Sequence, residues 1–307
     1  MTDDSHTART LDLACHANIL VPDVAAGPFA KALKVIAEAG YSSVVLPPLD
    51  PMSTDAPALR ALLEESGLAP ITIAGGISAH TDVGSADSGV RAAGAALLRG
   101  AVDFTAALGG DQMNGVPYGV FGHPQAPTSD AGFERAAREV GAVADYGHER
   151  GITMTFEVLN RYETSVVNTA AQALRFVERS GSDHLRIHLD TFHMAIEEAD
   201  IVEAIRVALP KLGYLELGQS GRGLLSSGAL DIADIVRQAL DLGYEGRIGV
   251  EAFSRGVLPP AVGDMLAIWR DPYDDGAGLA ADAAEVIHRG WMLSTVGRRP
   301  QRLVLKP

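Results

Sequence analysis

Cysteine is almost absent from this chain. Cys15 is the only one among 307 residues, so no disulfide can form within the chain. With no activating partner nearby in sequence, it reads as a buried structural thiol. Aromatic residues are sparse at 6%, while glycine and alanine abound, a balance that suits helices packed closely around a sheet better than an all-β fold. No apolar run approaches the ~18 residues of a spanning helix, and the opening MTDDSHTART lacks the charged-then-apolar pattern of a secretory signal. Together these absences predict a cytoplasmic location with no membrane partner. Concentrated basic charge is missing too. Lysine and arginine total 25 against 39 acidic residues, a formal charge of -14. Such a surface repels phosphate backbones, which excludes nucleic acid as the expected partner. A glycine-rich dinucleotide loop is also lacking after the first predicted strand. Gly75-Gly76 and Gly109-Gly110 are isolated pairs that read as bends.

What the chain does have is hydrophobic content of 47%, enough for a large core. Short β-branched or apolar runs alternate with longer amphipathic, alanine-rich segments. The pattern predicts strands over 11–19, 41–46, 69–74, 109–116, 151–158, 184–190, 212–217 and 247–252. It predicts helices near 25–39, 55–66, 86–108, 128–149, 165–180, 196–208 and 229–242, then 261–270 and 277–294. Strands alternating with helices in this number suggest a closed (β/α)₈ barrel, with an open doubly wound sheet as the rival. No repeat or linker divides the chain, so residues 1–307 are expected to form one domain with a terminal helical extension. The run GVPYGVFGHPQAP at 115–127 reads as a long loop after the fourth strand.

The acids carry the functional signal. Side chains alternate across a strand, so Ile152, Met154 and Phe156 share one face and Thr153, Thr155 and Glu157 the other. By the same logic Arg186, His188 and Asp190 face inward, as do Tyr214 and Glu216, and Arg247, Gly249 and Glu251. Glu157, Asp190, Glu216 and Glu251 therefore end four consecutive strands, at the face where barrels assemble their sites. Four gathered carboxylates repel one another unless a cation joins them. Oxygen ligands favour a hard divalent ion such as Mg²⁺ or Mn²⁺, which could hold two substrate oxygens and polarise a carbonyl.

Around this set, His193 follows Asp190 just before a predicted helix, and Arg222 lies in a glycine-containing loop. Glu163 either orients a reacting group or is a first-turn helix acid. His188, one layer below Asp190, reads as a satisfied interior histidine. His16 either lines the mouth or is structural. His80 and His123 lie in loops, and Tyr118 and Phe121 form either a sugar-facing wall or rim packing.

FEVLNRYE at 156–163, HLDTFHMAIEE at 188–198, GQSGRG at 218–223 and GVEAF at 249–253 together resemble the D-tagatose/D-psicose (ketose) 3-epimerase family of xylose-isomerase-like TIM barrels. The resemblance implies that Glu157 and Glu251 are metal ligands and the acid/base pair, and that Asp190 is a further ligand. It implies substrate contacts for His193 and Arg222 and a supporting role for Glu163. It implies a divalent ion, Mn²⁺ or Mg²⁺ first and Co²⁺ next, and a homodimer or homotetramer. The sequence departs from the pattern at Glu216, where a histidine ligand is ordinary, at Gln219, where glutamate commonly follows, and at Ala195, where asparagine is frequent. The implied reaction is C3 epimerisation of a ketose or related keto-sugar through an enediolate. Its rivals are aldose–ketose or keto-inositol isomerisation, 3-oxo-glycoside cleavage including carbon-linked substrates, and a noncatalytic partner subunit.

Overall fold

Parallel strands cannot be joined by tight turns, so each pair needs a crossover, and a helix is the usual one. The computed structural model, which describes residues 11–25 and 27–298, follows that rule around a full circle. Its elements run β1 (Leu13–His16), α1 (Phe29–Glu38), β2 (Ser43–Val45), α2 (Ala56–Ser66), β3 (Ala69–Ala74) and α3 (Ser88–Ala107). Next come β4 (Gln112–Gly115), α4 (Asp130–His148), β5 (Thr153–Val158), α5 (Ala170–Ser180) and β6 (Arg186–Asp190). They continue through α6 (Thr191–Glu197), α7 (Ile201–Ala208), β7 (Leu212–Leu217), α8 (Ile232–Asp241) and β8 (Arg247–Val250), ending with α9 (Pro260–Met265) and α10 (Gly276–Leu293). All strand pairs are parallel, and β1 pairs with β8 to close the barrel. The open-sheet alternative is thereby excluded. Residues 1–10, which hold the expected polar start, and residue 26, within the expected first helix, lie outside the described residues, as do 299–307.

Helix starts are set by side-chain caps that satisfy free backbone N–H groups. Asp87 Oδ1 accepts from Gly89 and Val90, Ser129 from Gly132, and Asp231 from Asp234. The main difference from the sequence expectation falls after β6. A single helix over 196–208 is replaced by α6 and α7. Asp190 both ends β6 and caps α6, accepting from the Phe192 N–H, so His193 lies inside a helix rather than before one. Glu198 breaks the run in extended backbone, and Asp200 caps α7. α5 begins at Ala170 rather than near 165, which leaves Glu163 in a turn, outside any first helical turn.

The sheet separates two environments. Its outer face, with Met154, Phe156, Ile187, Leu189, Leu215 and Val250, packs against the helices. Inside, Ala14, Val45, Ile71 and Tyr214 form a small apolar plug. Arg247 closes the amino-terminal end, donating to Asp12 at 3.0 Å and to Asp111 at 3.0 Å. A bulge between β6 and β7 pairs Ile187 with Leu212 but His188 with Tyr214. The extra residue is Gly213, whose Cβ would stand 2.6 Å from the Arg186 Cβ. It shifts the phase of β7 so that Leu212 packs outward while Tyr214 and Glu216 point in.

Behind β5, Phe176 meets Phe156 at 5.0 Å, Phe133 at 5.3 Å and Tyr118 at 5.9 Å between ring centroids. This aromatic cluster holds the strand that ends in Glu157. Phe176→Ala is expected to cost about 3–5 kcal/mol in denaturant unfolding. Trp269→Ala, at a position 70% exposed, should stay within about 0.5 kcal/mol. Similar losses at both positions would contradict this account of the core.

Candidate active site

The register brings the four acids together. Glu157 lies beside His188 across β5 and β6, and Asp190 lies beside Glu216 across β6 and β7. Glu251 directly follows β8. Each of Glu157, Asp190, Glu216 and Glu251 offers a carboxylate oxygen, and these oxygens all lie within 4.8 Å of one another. Asp190 and Glu216 are essentially sealed from solvent, at 0% and 1% exposure. Glu157 and Glu251 instead line a cavity of about 320 Å³ with His16, Asn18, Phe121 and Phe253. A larger pocket, about 620 Å³, opens beside the loop after β4 but touches none of the four acids. Titratable groups in a concave site mark the place of chemistry more reliably than volume, so the smaller cavity is the candidate.

Arg222 is the cation inside the cluster. Its Nη1 lies 2.8 Å from Asp190 Oδ2 and 2.6 Å from Glu251 Oε2, and its guanidinium stacks 3.8 Å from the Phe192 ring centroid. It adopts φ of 56°, a left-handed conformation that costs a non-glycine residue about 1–3 kcal/mol. The loop holds it there: the Arg222 N–H donates to Gln219 O, and the Arg222 carbonyl accepts from Phe253. Gln219 is itself a staple, with Nε2 donating to the Leu225 and Leu230 carbonyls. A glutamate could not donate those bonds. The GQSGRG segment is therefore built around the amide.

Histidines surround the acids. His16 Nε2 lies 2.8 Å from Glu216 Oε1, and its Nδ1 lies 3.6 Å from Glu251 Oε1. Burial favours the neutral ring, but the Glu216 carboxylate outweighs it and raises the His16 pKa to about 9. Burial likewise pushes Glu216 up, yet His16 and His188 outweigh it and hold the carboxyl well below its usual range. His193 is aimed from behind: the backbone N–H of Asn160 donates to its Nδ1 at 3.2 Å. That leaves the ring proton on Nε2, which faces Glu157 Oε1 at 3.3 Å.

Glu157 and Glu251 are driven in opposite directions. Burial acts to raise Glu157, but His188 and His193 prevail and lower it. At Glu251, Arg222 favours the carboxylate. Burial together with the Glu216 and Glu157 charges wins, and the pKa is pushed up to about 8.

Glu163 is half-buried at the rim, with Oε1 accepting from Asn160 Nδ2 at 2.9 Å. It shares the turn that aims His193 but touches none of the four acids. Tyr118 is buried and donates to the Glu157 carbonyl at 2.7 Å, which makes it a support for β5, while Phe121 lines the cavity. His80 and His123 are exposed, away from the acids, and Cys15 is fully buried with its thiol pushed up by desolvation.

Sequence reasoning missed Asn160, Thr191 and Gly218. Thr191 Oγ1 donates to the Gly218 carbonyl and accepts from its N–H, which clasps α6 to the loop after β7. It also missed that Glu197 binds the Arg161 backbone and guanidinium, tying the NRYET turn to α6, while Glu198 accepts from the Ala170 N–H at the start of α5. The asparagine in a turn and the paired glutamates were visible signals, but their partners lie across the fold.

A Cβ at Gly218 would stand 2.7 Å from Arg222 Nη1 and 2.8 Å from Asp190 Oδ1. Gly218→Ala is expected to lower kcat/KM by ~10²-fold with an unchanged circular dichroism spectrum, because small misplacements in a site are costly. Wild-type kcat/KM in that variant would show that the tight packing here has no bearing on turnover.

Comparison with known proteins agrees with this architecture. Residues 33–284 match the family model described as xylose isomerase-like TIM barrel. The chain is 37% identical to a ketose 3-epimerase of Arthrobacter globiformis, covering 89% of this chain and 94% of that one. It is 35% identical to an L-ribulose 3-epimerase of a Methylomonas species, over 91% and 97%. Among solved structures, an L-ribulose 3-epimerase superposes with a TM-score of 0.87 at 33% identity, covering 97% of this chain and all of that one. A D-allulose 3-epimerase from Methylomonas, in complex with D-allulose, gives a TM-score of 0.86 at 35% identity, over 91% and 96%. With that coverage, this chain belongs to the ketose 3-epimerase group of the xylose isomerase-like TIM barrel family.

Proposed function

We propose that the protein epimerises a ketose at C3, using Glu157 and Glu251 as an acid/base pair. The observation that carries this reading is the placement of two carboxyls on one cavity with their proton affinities driven apart. Such a pair can start from opposite protonation states, which is what removal on one face and return on the other require. Relatives named for C3 epimerisation of ketoses, over most of both chains, support the same reaction.

A divalent ion suits the residues present. The donor set is rich in oxygen, three of its four carboxylates are buried, and their oxygens lie close enough to share one ion. Glu157, Asp190, Glu216 and Glu251 would hold it. When bound, such an ion supplies Lewis acidity and offsets the negative charge of an enediolate. The protein's own groups do the rest. Glu157, ionised, takes the C3 proton. The electrons of that C–H bond form the C2–C3 double bond, and the charge passes to the C2 oxygen. Arg222 and His193, through its Nε2 proton, stabilise the oxygens on their side of the cavity. Glu251 returns a proton to the opposite face of C3, and the double bond collapses back to the ketone. The reverse direction exchanges the two roles. Residues 1–307 would act as one catalytic domain, with α10 packed on α8 as its extension, and the active form would be a homodimer or homotetramer.

Proton exchange tests the mechanism. In D₂O with Mn²⁺ and a panel of free ketoses, NMR should show deuterium at C3 of the epimer. Glu157→Gln and Glu251→Gln should each reduce C3 exchange by ~10²-fold or more. Unchanged exchange in either variant would eliminate the two-base scheme.

The pKa directions predict a second behaviour. An ion bound at Glu216 takes over the carboxylate that keeps the His16 ring protonated up to about pH 9, so that proton leaves as the ion enters. Mn²⁺ affinity should therefore rise with pH, by up to about tenfold per unit below that value, and level off above it. Calorimetry in buffers of different ionisation enthalpy should register proton release near neutrality. A flat affinity from about pH 6 to about pH 8.5 would contradict this coupling.

A further inference from the structure

His188 is buried to 1% exposure, and neither ring nitrogen has a hydrogen-bond partner. Most buried polar groups are paired, so an imidazole with both nitrogens unpaired needs a reason. The ring is fixed by packing: it meets Tyr214 edge-on, with centroids 4.7 Å apart and planes at 86°. Its Nε2 stands 3.0 Å from Glu216 Oε2. At that distance the two atoms are close enough to bond, yet they are not aligned as donor and acceptor. Two atoms bound at about 2.1 Å on adjacent corners of one ion stand about 3 Å apart, with no alignment between them required. Glu157, His188 and Glu216 also offer ligand atoms that lie within 4.8 Å of one another.

The other groups of the cluster already have partners within the protein. Asp190 Oδ1 accepts from Phe192 N–H, its Oδ2 faces Arg222, and Glu251 is paired with the same guanidinium. His16 is engaged with Glu216, and His193 Nδ1 accepts from Asn160. His188 alone among these three histidines keeps both nitrogens unbonded.

We propose that His188, on β6, is an inner ligand of the divalent ion, supplying from this strand the imidazole that β7 lacks at Glu216. This rests on the metal-dependent reading above. It adds His188 to the four carboxylates, on the side of Glu157 and Glu216, and it gives a mixed nitrogen–oxygen donor set. Such a set favours Mn²⁺ or Co²⁺ over Mg²⁺.

Pulsed EPR of the full-length protein loaded with Mn²⁺ tests it without measuring turnover. Directly bound ¹⁴N should modulate the electron spin echo of the wild type. The modulation should persist in His16→Gln and in His193→Gln, and it should vanish in His188→Gln, with Mn²⁺ affinity weakened about tenfold or more. Should His188→Gln fail to fold by thermal melting, the His16→Gln/His193→Gln double variant carries the test, since its nitrogen signal must then remain. Tight Mn²⁺ binding with no nitrogen modulation in the wild type would overturn this proposal and leave the metal-dependent reading standing. So would modulation unaltered in folded His188→Gln, or lost in the double variant. Absence of any bound Mn²⁺ would overturn both.

Discussion

Mutual repulsion among four gathered carboxylates, three of them buried, is the constraint around which the catalytic end of this barrel is built. Their closest oxygens lie within 4.8 Å of one another. At an effective dielectric of about 20, each pair of full charges at that range costs roughly 3–4 kcal/mol, and the set roughly 20 kcal/mol. That exceeds the ~5–15 kcal/mol by which folded domains outlast their unfolded chains. Positive charge must therefore be built in. Arg222 spans Asp190 and Glu251, His16 spans Glu216 and Glu251, and burial leaves Glu251 protonated near neutrality. Loop hydrogen bonds to Gln219 and Phe253 hold Arg222 in left-handed backbone. The same gathering of carboxylate oxygens is what suits the cluster to the divalent ion proposed for it.

Periodicity made much of this legible. Barrel closure brings the carboxyl ends of the strands to one face, so a glutamate or aspartate at the end of an inward-facing series is placed by counting alone. Glu157, Asp190, Glu216 and Glu251 needed nothing more. Glu216 is the instructive one, because the count works only locally. Traced back through β7, the alternation would turn Leu212 inward, and the bulge at Gly213 restores it to the outer core. A glycine inside a strand run hints at a bulge, but it does not say which side chains the bulge turns.

Other features were illegible because their partners are remote in the chain. Asp190 is at once a strand end, a helix cap and an ion-pair partner. Strand reasoning sees the first role and helix reasoning expects a connecting loop, so α7 is legible in the sequence and α6 is not. Asn160 reads as a turn residue, yet its backbone and side chain set the tautomer and aim of His193 from another strand's loop. Gln219 reads as a lost carboxylate. In the fold it is an amide whose two donors hold the loop that strains Arg222 into place.

Glu216 shows why a buried cluster resists comparison one position at a time. Replacing an imidazole with a carboxylate adds a negative charge at the most crowded point of the site. Taken alone, that change should weaken the fold and blur the chemistry. Here the added carboxylate lies between His16 from β1 and His188 from β6, with one oxygen directed to each ring. Burial alone would have raised its proton affinity, and the two rings lower it instead. Two imidazoles flank the position at which the family resemblance implies one. Charge and donor type contributed by three strands within a few ångströms, rather than the residue at one position, set how Glu216 behaves.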